Sequence, residues 1–229
     1  MKKWLTNNKI YFEIASIVLF GGVSLYIGFA ANQVSKNQLQ IARLELSPFI
    51  SIRERYSIDD AGFATDTYIE INNDGAPVRN SSVSAHTFYA ISTGQSTVWI
   101  PINGYYDASF RTAAVSGKIT ELRGLGNNTS YHDIYVQHLN LSDENRLNLT
   151  ELQRVTIVKV EYETKTRETF EDYFLSGNLN SEPWVEFLFD HHSDHWPLER
   201  RGLQWNQLED AYYEILNEAP NLVRDGRFN

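Results

Sequence analysis

The sequence predicts a mainly β protein with an N-terminal transmembrane helix, a helical stalk, a β-sandwich-like domain and a helical C-terminal tail. An uncharged apolar segment lies near the N-terminus, alternating apolar and polar residues follow Pro48, and a helical spacing of apolar residues returns near the C-terminus. The predicted boundaries are 1–9 for a basic N-terminal tail, 10–31 for the transmembrane helix, 32–47 for the stalk, 48–180 for the β-domain and 181–229 for the helical tail.

The composition restricts the classes of protein to which this chain of 229 residues can belong. It contains no Cys, which excludes a disulfide scaffold, a zinc–thiolate site and a cysteine nucleophile. Its 13 Tyr, 12 Phe and 5 Trp residues supply ample apolar area for a folded core. The net charge of -9 disfavours general nucleic-acid binding, because neutralising phosphates requires clustered Lys and Arg.

Residues 10–31 form the predicted membrane span and contain one charged residue, Glu13. About 20 apolar residues are needed to cross a hydrocarbon core of roughly 30 Å. A secretory signal peptide is the alternative, with Lys2-Lys3 as its basic region and Gly28-Phe29-Ala30 as its cleavage site. We expect a retained helix, because the apolar stretch is longer than that of a signal peptide and Glu13 interrupts its start.

Positive charge flanks the span almost equally on both sides. Three lysines precede it, and Lys36 and Arg43 follow it within the range where charge affects orientation. This distribution slightly favours a cytoplasmic N-terminus and an external soluble domain. The charges alone leave the orientation open.

The helix is expected to continue beyond the membrane as a stalk. The residues after the span contain no Gly or Pro, and Ile27, Val34 and Ile41 recur every seven residues. Pro48 ends this pattern, because proline lacks a backbone donor and biases the preceding residue away from the helix. The sequence therefore predicts one helix from about residue 8 to 46, and its stalk is either a coiled coil or a solvated amphipathic helix.

One face of the predicted span combines an acidic residue with small residues. At about 100° per residue, the following positions lie on or beside one line along the helix: Glu13, Phe20, Gly21, Ser24, Gly28 and Ala31. Small residues allow helices to approach closely in lipid, so this face predicts homo-oligomerisation. In a ring of helices the same face would line a pore in which Glu13 forms an acidic collar. Alternatively, Glu13 lies at the membrane–water interface and the glycines have no packing role.

The region after Pro48 contains short alternating segments typical of β-strands. Turn residues separate these segments, including the cluster Asn72–Pro77, where Gly75 can adopt a positive φ. The predicted strands are 49–58, 66–73, 82–91, 96–102, 117–122, 131–139, 154–164 and 167–175. Short strands rich in Tyr, Thr, Val and Ile indicate a β-sandwich.

A helical spacing of apolar residues returns in the C-terminal tail. Glu182–His191 predicts a short helix, and Gln204–Asn217 predicts a longer helix with one apolar face. We expect this tail to pack on the β-domain or on a neighbouring subunit.

The densest polar cluster of the sequence is Asp190–His195. On a helix, His191 and His195 would share one face, and Asp194 could complete a weak candidate metal site. No Glu occupies the general-base position of an HExxH motif, so we expect a polar loop or an interface there. The chain also lacks a nucleophile elbow, a complete dinucleotide fingerprint and a P-loop. These observations favour a protein that is not an enzyme and that uses no cofactor.

The adjacent Arg200 and Arg201 are candidates for ligand binding. With Trp196 and Trp205 nearby, they could hold a phosphorylated ligand by charge and stacking. The alternative is a solvated or salt-bridged pair on the surface.

The order of the segments carries a resemblance to a known class of proteins. A short basic tail and one span precede the stalk NQVSKNQLQIARLELSPFISI, and the β-domain contains IEINNDGAPVRN. This layout resembles the single-span membrane effectors of bacterial anti-phage defence systems.

The resemblance implies a homo-oligomer in the cell inner membrane, with a cytoplasmic sensing domain that gates an ion-conducting pore. It also implies that a nucleotide-type signal or a partner enzyme controls that domain. The alternative function is a signal-anchored extracytoplasmic β-sandwich that acts as a binding or scaffold protein.

Overall fold

The computed structural model describes residue 4 and residues 8–93, 95–106, 110–140, 151–195 and 197–225. The chain divides into two compact units, Met1–Ser47 and Pro48–Asn229. Each unit is described by itself below.

The first unit consists of one long helix, α1 (Lys9–Leu46, 38 residues). At 1.5 Å per residue its length is about 57 Å, so the prediction of a single helix through span and stalk is confirmed. The segment Lys9–Ala42 is long and apolar enough to cross a membrane, and its most apolar part is not buried within the chain. A signal sequence near the N-terminus also meets these criteria of length and apolarity.

The second unit is built on nine strands within the described residues, together with helices that pack against both faces of the sheet. The strands are β1 (Ile50–Ile58), β2 (Ala64–Ser92), β3 (Ser96–Asn103), β4 (Phe110–Arg123), β5 (Glu151–Glu163), β6 (Thr169–Leu175), β7 (Asn178–Leu179), β8 (Leu198–Glu199) and β9 (Val223–Asp225). The helices are α2 (Asn127–Asn140), α3 (Pro183–Asp190) and α4 (Trp205–Glu218), with 3₁₀ turns at His192–His195 and Pro220–Leu222.

All nine strands belong to one mixed sheet with β2 at its centre. The order is β7-β6-β5-β2-β3-β8, while β1 and β4 also pair with β2 and β9 pairs with β3. The first part of β2 lies between β1 and β4, and its last part lies between β5 and β3. Only the short β3–β8 pairing is parallel among these ladders. One strand of 29 residues therefore holds two groups of strands together.

The strand β2 changes partners at an irregular stretch. Asn73 pairs with Gly117 and Val78 pairs with Val115, so residues 74–77 of β2 lie opposite a single residue of β4. Such a bulge bends a strand and increases its twist. The bend allows β1 and β5, which pair with the same edge of β2, to face one another.

The side chain of Asn73 supplies the hydrogen bonds that the ladder lacks at this bulge. Its Oδ1 accepts from the backbone N–H groups of Phe49 and Gly75, both at 3.1 Å. Its Nδ2 donates to the carbonyl of Ala76 at 2.8 Å, and the residue is almost completely buried. The predicted turn at Asn72–Pro77 is therefore wrong, because this amide satisfies the backbone within a continuing strand and Gly75 does not adopt a positive φ.

Two apolar cores lie on the sheet. The larger core covers both faces of the β2–β3–β5 region, with α2 on the Tyr89 face and α3 on the Phe88 face, and its largest side chains are Phe88, Tyr89, Trp99 and Tyr105. The second core joins the first half of β2, with β1 and β4, to β5 and β6. The β-rich prediction is confirmed, whereas the sandwich is only approximated, because the facing strands belong to one bent sheet rather than to two sheets.

Residues 131–139, which the sequence analysis predicts as a strand, lie within α2. The buried residues of this helix are Asn127, Ile134 and His138, which lie on one helical face. The strand prediction is wrong because aromatic and β-branched residues have high β propensity, and burial of one helical face outweighs that preference here.

The predicted tail helices are confirmed as α3 and α4. Between and after them, the chain also forms β8 and β9, which pair with β3. The tail is therefore partly strand and belongs to the sheet, which differs from the helical tail that the sequence predicts.

A stacked pair of histidines attaches the first 3₁₀ turn to the sheet. The rings of His86 on β2 and His192 lie 4.2 Å apart at an interplanar angle of 16°. The Nε2 atom of His192 lies 3.3 Å from the carbonyl oxygen of Thr87. Burial, with a smaller contribution from His192, lowers the pKa of His86 to about 4, and burial also lowers the pKa of His192.

We expect Asn73→Ala to lower the free energy of unfolding by about 3 kcal/mol, because it leaves buried backbone groups without partners. Denaturant unfolding of the full chain in detergent micelles measures this change. The matched control is Asn72→Ala, which we expect to change stability by less than about 0.5 kcal/mol. Equal losses in the two variants would contradict a special role for the Asn73 amide.

We expect the second unit to lose stability as the pH falls from about 6.5 to about 4. In this range His86 is neutral in the folded state and becomes protonated in the unfolded state. The shift of its pKa corresponds to about 3 kcal/mol over that interval. His86→Phe keeps an aromatic ring in the stack and removes the titration, so its stability should fall less steeply. If the free energy of unfolding falls equally with pH in the two proteins, His86 is not the group responsible.

Candidate ligand-binding site

The amino-terminal end of α2 is fixed to the sheet by one buried amide. The Oδ1 atom of Asn127 accepts from Thr67 N at 2.7 Å, and its Nδ2 donates to Thr67 O at 2.9 Å and to Tyr105 O at 3.1 Å. Gly124 permits this close approach, because a Cβ atom there would lie 2.0 Å from Tyr105 O. The sequence analysis missed Asn127, since no local pattern distinguishes it from a surface asparagine.

A cleft of about 470 Å³ opens between α2 and the segment that precedes α4. We call it the Arg200 cleft. Polar and apolar groups line it about equally. They come from two stretches of the chain, with Ser130, His132, Asp133, Val136 and Gln137 on α2 and Arg200, Gly202, Leu203 and Gln204 before α4. Its volume lies within the range of small-molecule sites in proteins.

Arg200 is the residue that gives the cleft its positive charge. It is only 4% exposed, its Nε donates to Gly104 O at 2.7 Å, and its Nη1 donates to Ser130 Oγ at 3.1 Å. Ser130 in turn donates to Gly126 O at 2.9 Å, so its hydroxyl oxygen is free to accept. Arg200 forms no ion pair with the carboxylates of the described residues. Among the described residues, this buried cation beside the cleft therefore has neutral partners only.

Gln137 and Trp205 connect α2 to α4. The backbone N–H of Trp205 donates to Gln137 Oε1 at 3.0 Å, which orients the side-chain amide of Gln137. The Trp205 ring is buried and stacks on His138, with 4.9 Å between the ring centroids. This predicted ligand-binding tryptophan therefore fixes the cleft wall from behind and does not line the cleft.

The other predicted ligand-binding residues are separated by the structure. Arg201 is exposed and does not line the cleft, although it is adjacent to Arg200 in sequence. Trp196 lies outside the described residues. The structure thus brings Arg200 together with residues of α2 that the sequence analysis did not select, Ser130 and Asp133 among them.

The predicted metal candidates lie at the end of α3 and in the 3₁₀ turn that follows it. The helix α3 ends at Asp190, and the chain continues as a 3₁₀ turn, so His191 and His195 do not share a helical face. His191 stacks on Phe187, and its Nδ1 lies 2.9 Å from the carbonyl oxygen of that residue. The side chain of His195 is not among those described, whereas Asp194 is. The described residues contain no group of three side chains able to hold a metal ion.

The predicted helix-packing residues are exposed along α1. Glu13 lies 3.6 Å from Lys9 in an exposed ion pair, which contributes little to stability. A Cβ atom added at Gly21 or Gly28 would meet no atom within 4 Å. Phe20, Ser24 and Ala31 are exposed as well. This face is therefore accessible to another helix.

A second arginine, which is partly buried, has a different environment. Arg154 on β5 forms an ion pair with Glu54 on β1, and its Nη1 donates to Tyr105 Oη at 2.8 Å and to Thr67 Oγ1 at 3.2 Å. Burial raises the pKa of Tyr105, which keeps its hydroxyl protonated at neutral pH. Arg154 therefore joins β1 to β5 across the folded sheet with its charge compensated. The long sequence separation between these partners explains why the sequence analysis missed them.

No protein-family model matches this sequence, and no curated protein resembles it at a significant level. Function is therefore inferred from the Arg200 cleft and from α1.

We expect Arg154→Met to lower the free energy of unfolding by about 2 kcal/mol, because it removes a partly buried ion pair and the donors to Tyr105 and Thr67. Arg200→Met should change it by less than about 1 kcal/mol, because the lost hydrogen bonds are offset by removal of a buried charge without a counterion. Denaturant unfolding of both variants measures the difference. An equally large loss for Arg200→Met would make Arg200 a structural residue.

Proposed function

We propose that this protein is a membrane-anchored homo-oligomeric effector whose soluble unit senses a signal and gates an ion-conducting transmembrane pore. The cell inner membrane is the proposed location, with the soluble unit in the cytoplasm and a role in anti-phage defence. The observation that carries this proposal is the apolar helix α1, whose accessible face combines Glu13 with small residues. Such a face favours close packing between copies of the helix.

The connection between the helix and the soluble unit supports a gating role. Only residues 47–49 separate the end of α1 from the start of β1. One of these residues is Pro48, which restricts the backbone. A short restricted connection transmits a displacement of β1 to the helix better than a long flexible linker would.

A continuous set of contacts leads from the Arg200 cleft to β1. Arg200 donates to the carbonyl of Gly104, and the next residue, Tyr105, accepts from Arg154. Arg154 then pairs with Glu54 on β1. A ligand that displaces Arg200 therefore acts on residues that are bonded to the strand next to the stalk.

The second candidate function is an extracytoplasmic binding or scaffold protein anchored by α1. The three lysines that precede the span favour this orientation slightly. The two functions differ first in the side of the membrane on which the soluble unit lies.

The orientation is measurable with a single cysteine, since the chain contains none. Lys165→Cys places a thiol at the exposed turn between β5 and β6. We expect this thiol to resist a membrane-impermeant maleimide in intact spheroplasts and to react after lysis. The thiol of the control Lys3→Cys should react already in intact spheroplasts. Labelling of Lys165→Cys in intact spheroplasts would favour the extracytoplasmic binding protein.

We expect potassium-loaded liposomes that contain the protein to leak faster than protein-free liposomes, and Glu13→Gln to reduce cation over anion selectivity. Gly28→Leu should abolish the leak, because a large side chain keeps neighbouring helices apart.

The matched control is Gly22→Leu, which makes the same change about 180° away from Glu13 on the helix and should leave the leak intact. Background leakage for the unmodified protein, or equal effects of the two leucine variants, would contradict the pore.

A further inference from the structure

Arg200 retains unused hydrogen-bonding capacity at the wall of the cleft. A guanidinium carries five N–H donors, and the bonds to Gly104 and Ser130 use one at Nε and one at Nη1. The remaining donors include both at Nη2, which together with Nη1 form the end of the guanidinium fork. That edge has the spacing that binds a carboxylate or a phosphate through two parallel hydrogen bonds.

The guanidinium lies beside the opening of the cleft. Ser130, which accepts from its Nη1, lines the cleft, as does Arg200 itself. Burial excludes water from most of the arginine, so an anion bound here would be screened far less than at an exposed side chain. Arg201 has the same charge but is exposed, which makes it a natural comparison.

The cleft also carries groups that recognise the rest of a ligand. Asp133 lies three residues after Ser130 on α2, so both side chains are on the same side of the helix. Asp133 forms no ion pair among the described residues and offers acceptor oxygens to the cleft. The Gln137 carbonyl oxygen is occupied by Trp205 N, which leaves its Nε2 as a donor.

We propose that the Arg200 cleft binds a small dipolar ligand, with a phosphate or carboxylate on Arg200 and a hydrogen-bond donor or cationic group on Asp133. Gln137 supplies a further donor to the anionic part. The volume of about 470 Å³ accommodates molecules from an amino acid to a mononucleotide. The site would be the place where the proposed effector receives its signal, but the binding itself does not depend on pore formation.

Isothermal titration of the full chain in detergent micelles tests the site with defined probes. The phosphate arm uses 5′-GMP, with guanosine and inorganic phosphate as its separate halves, and the carboxylate arm uses L-glutamine. We expect saturable binding in one arm, and in the phosphate arm 5′-GMP should bind at least tenfold more tightly than either half.

Three variants assign the binding to the proposed residues. Arg200→Met should weaken binding at least tenfold, and Asp133→Asn should weaken 5′-GMP or L-glutamine while leaving inorganic phosphate unchanged. Arg201→Met removes the neighbouring charge and should bind like the unmodified chain. Asp133→Asn alters an exposed position, so it remains informative if Arg200→Met does not fold.

The proposal is overturned if neither arm shows saturable binding, or if Arg201→Met weakens binding as much as Arg200→Met does. It is also overturned if Asp133→Asn binds 5′-GMP and L-glutamine like the unmodified chain. Ligand binding without ion flux would reject the pore and retain the site, whereas ion flux without binding would do the reverse.

Discussion

The fold depends on the bulge at Asn73, which allows one strand to serve two groups of partners. Without it, β2 would continue straight and β1 and β5 would lie end to end along the same edge. The Asn73 amide satisfies the backbone groups that the irregular register leaves unpaired, so the bend does not expose or orphan them. The bent strand brings Glu54 on β1 within reach of Arg154 on β5 and encloses the second apolar core.

Arg154 and Arg200 show how the same side chain serves different purposes. Arg154 has a carboxylate, a phenol and a hydroxyl as partners, and it joins distant strands. Among the described residues, Arg200 has only neutral partners and lines an open cleft. Burying a charge without a counterion is unfavourable, which makes Arg200 the candidate for binding an external anion.

Local patterns were sufficient to predict α1, α4 and most strands, because apolar spacing and Pro48 determine them. The helix α2 was missed because residues 131–139 have strand-like propensities, and only packing of Ile134 and His138 reveals the helical period. The turn at Asn72–Pro77 was wrong because a side chain replaced the expected backbone bonds. Arg200 was selected from its local sequence, where a second arginine and two tryptophans lie nearby. Its cleft was not predicted, because the cleft depends on contacts between residues about 70 positions apart.

A ligand at Arg200 can gate a pore only if it binds two states of the protein with different affinity. The carbonyl of Gly104 and the hydroxyl of Ser130 now hold the guanidinium, and an anion bound at its free Nη1–Nη2 edge would pull it away from these partners. Weakening the bond to Gly104 frees the chain next to Tyr105, whose hydroxyl holds Arg154. Because Arg154 is paired with Glu54 on β1, part of the binding free energy of the anion would be used to displace that strand. In the proposed effector, the signal would then reach α1 through the three residues that join it to β1.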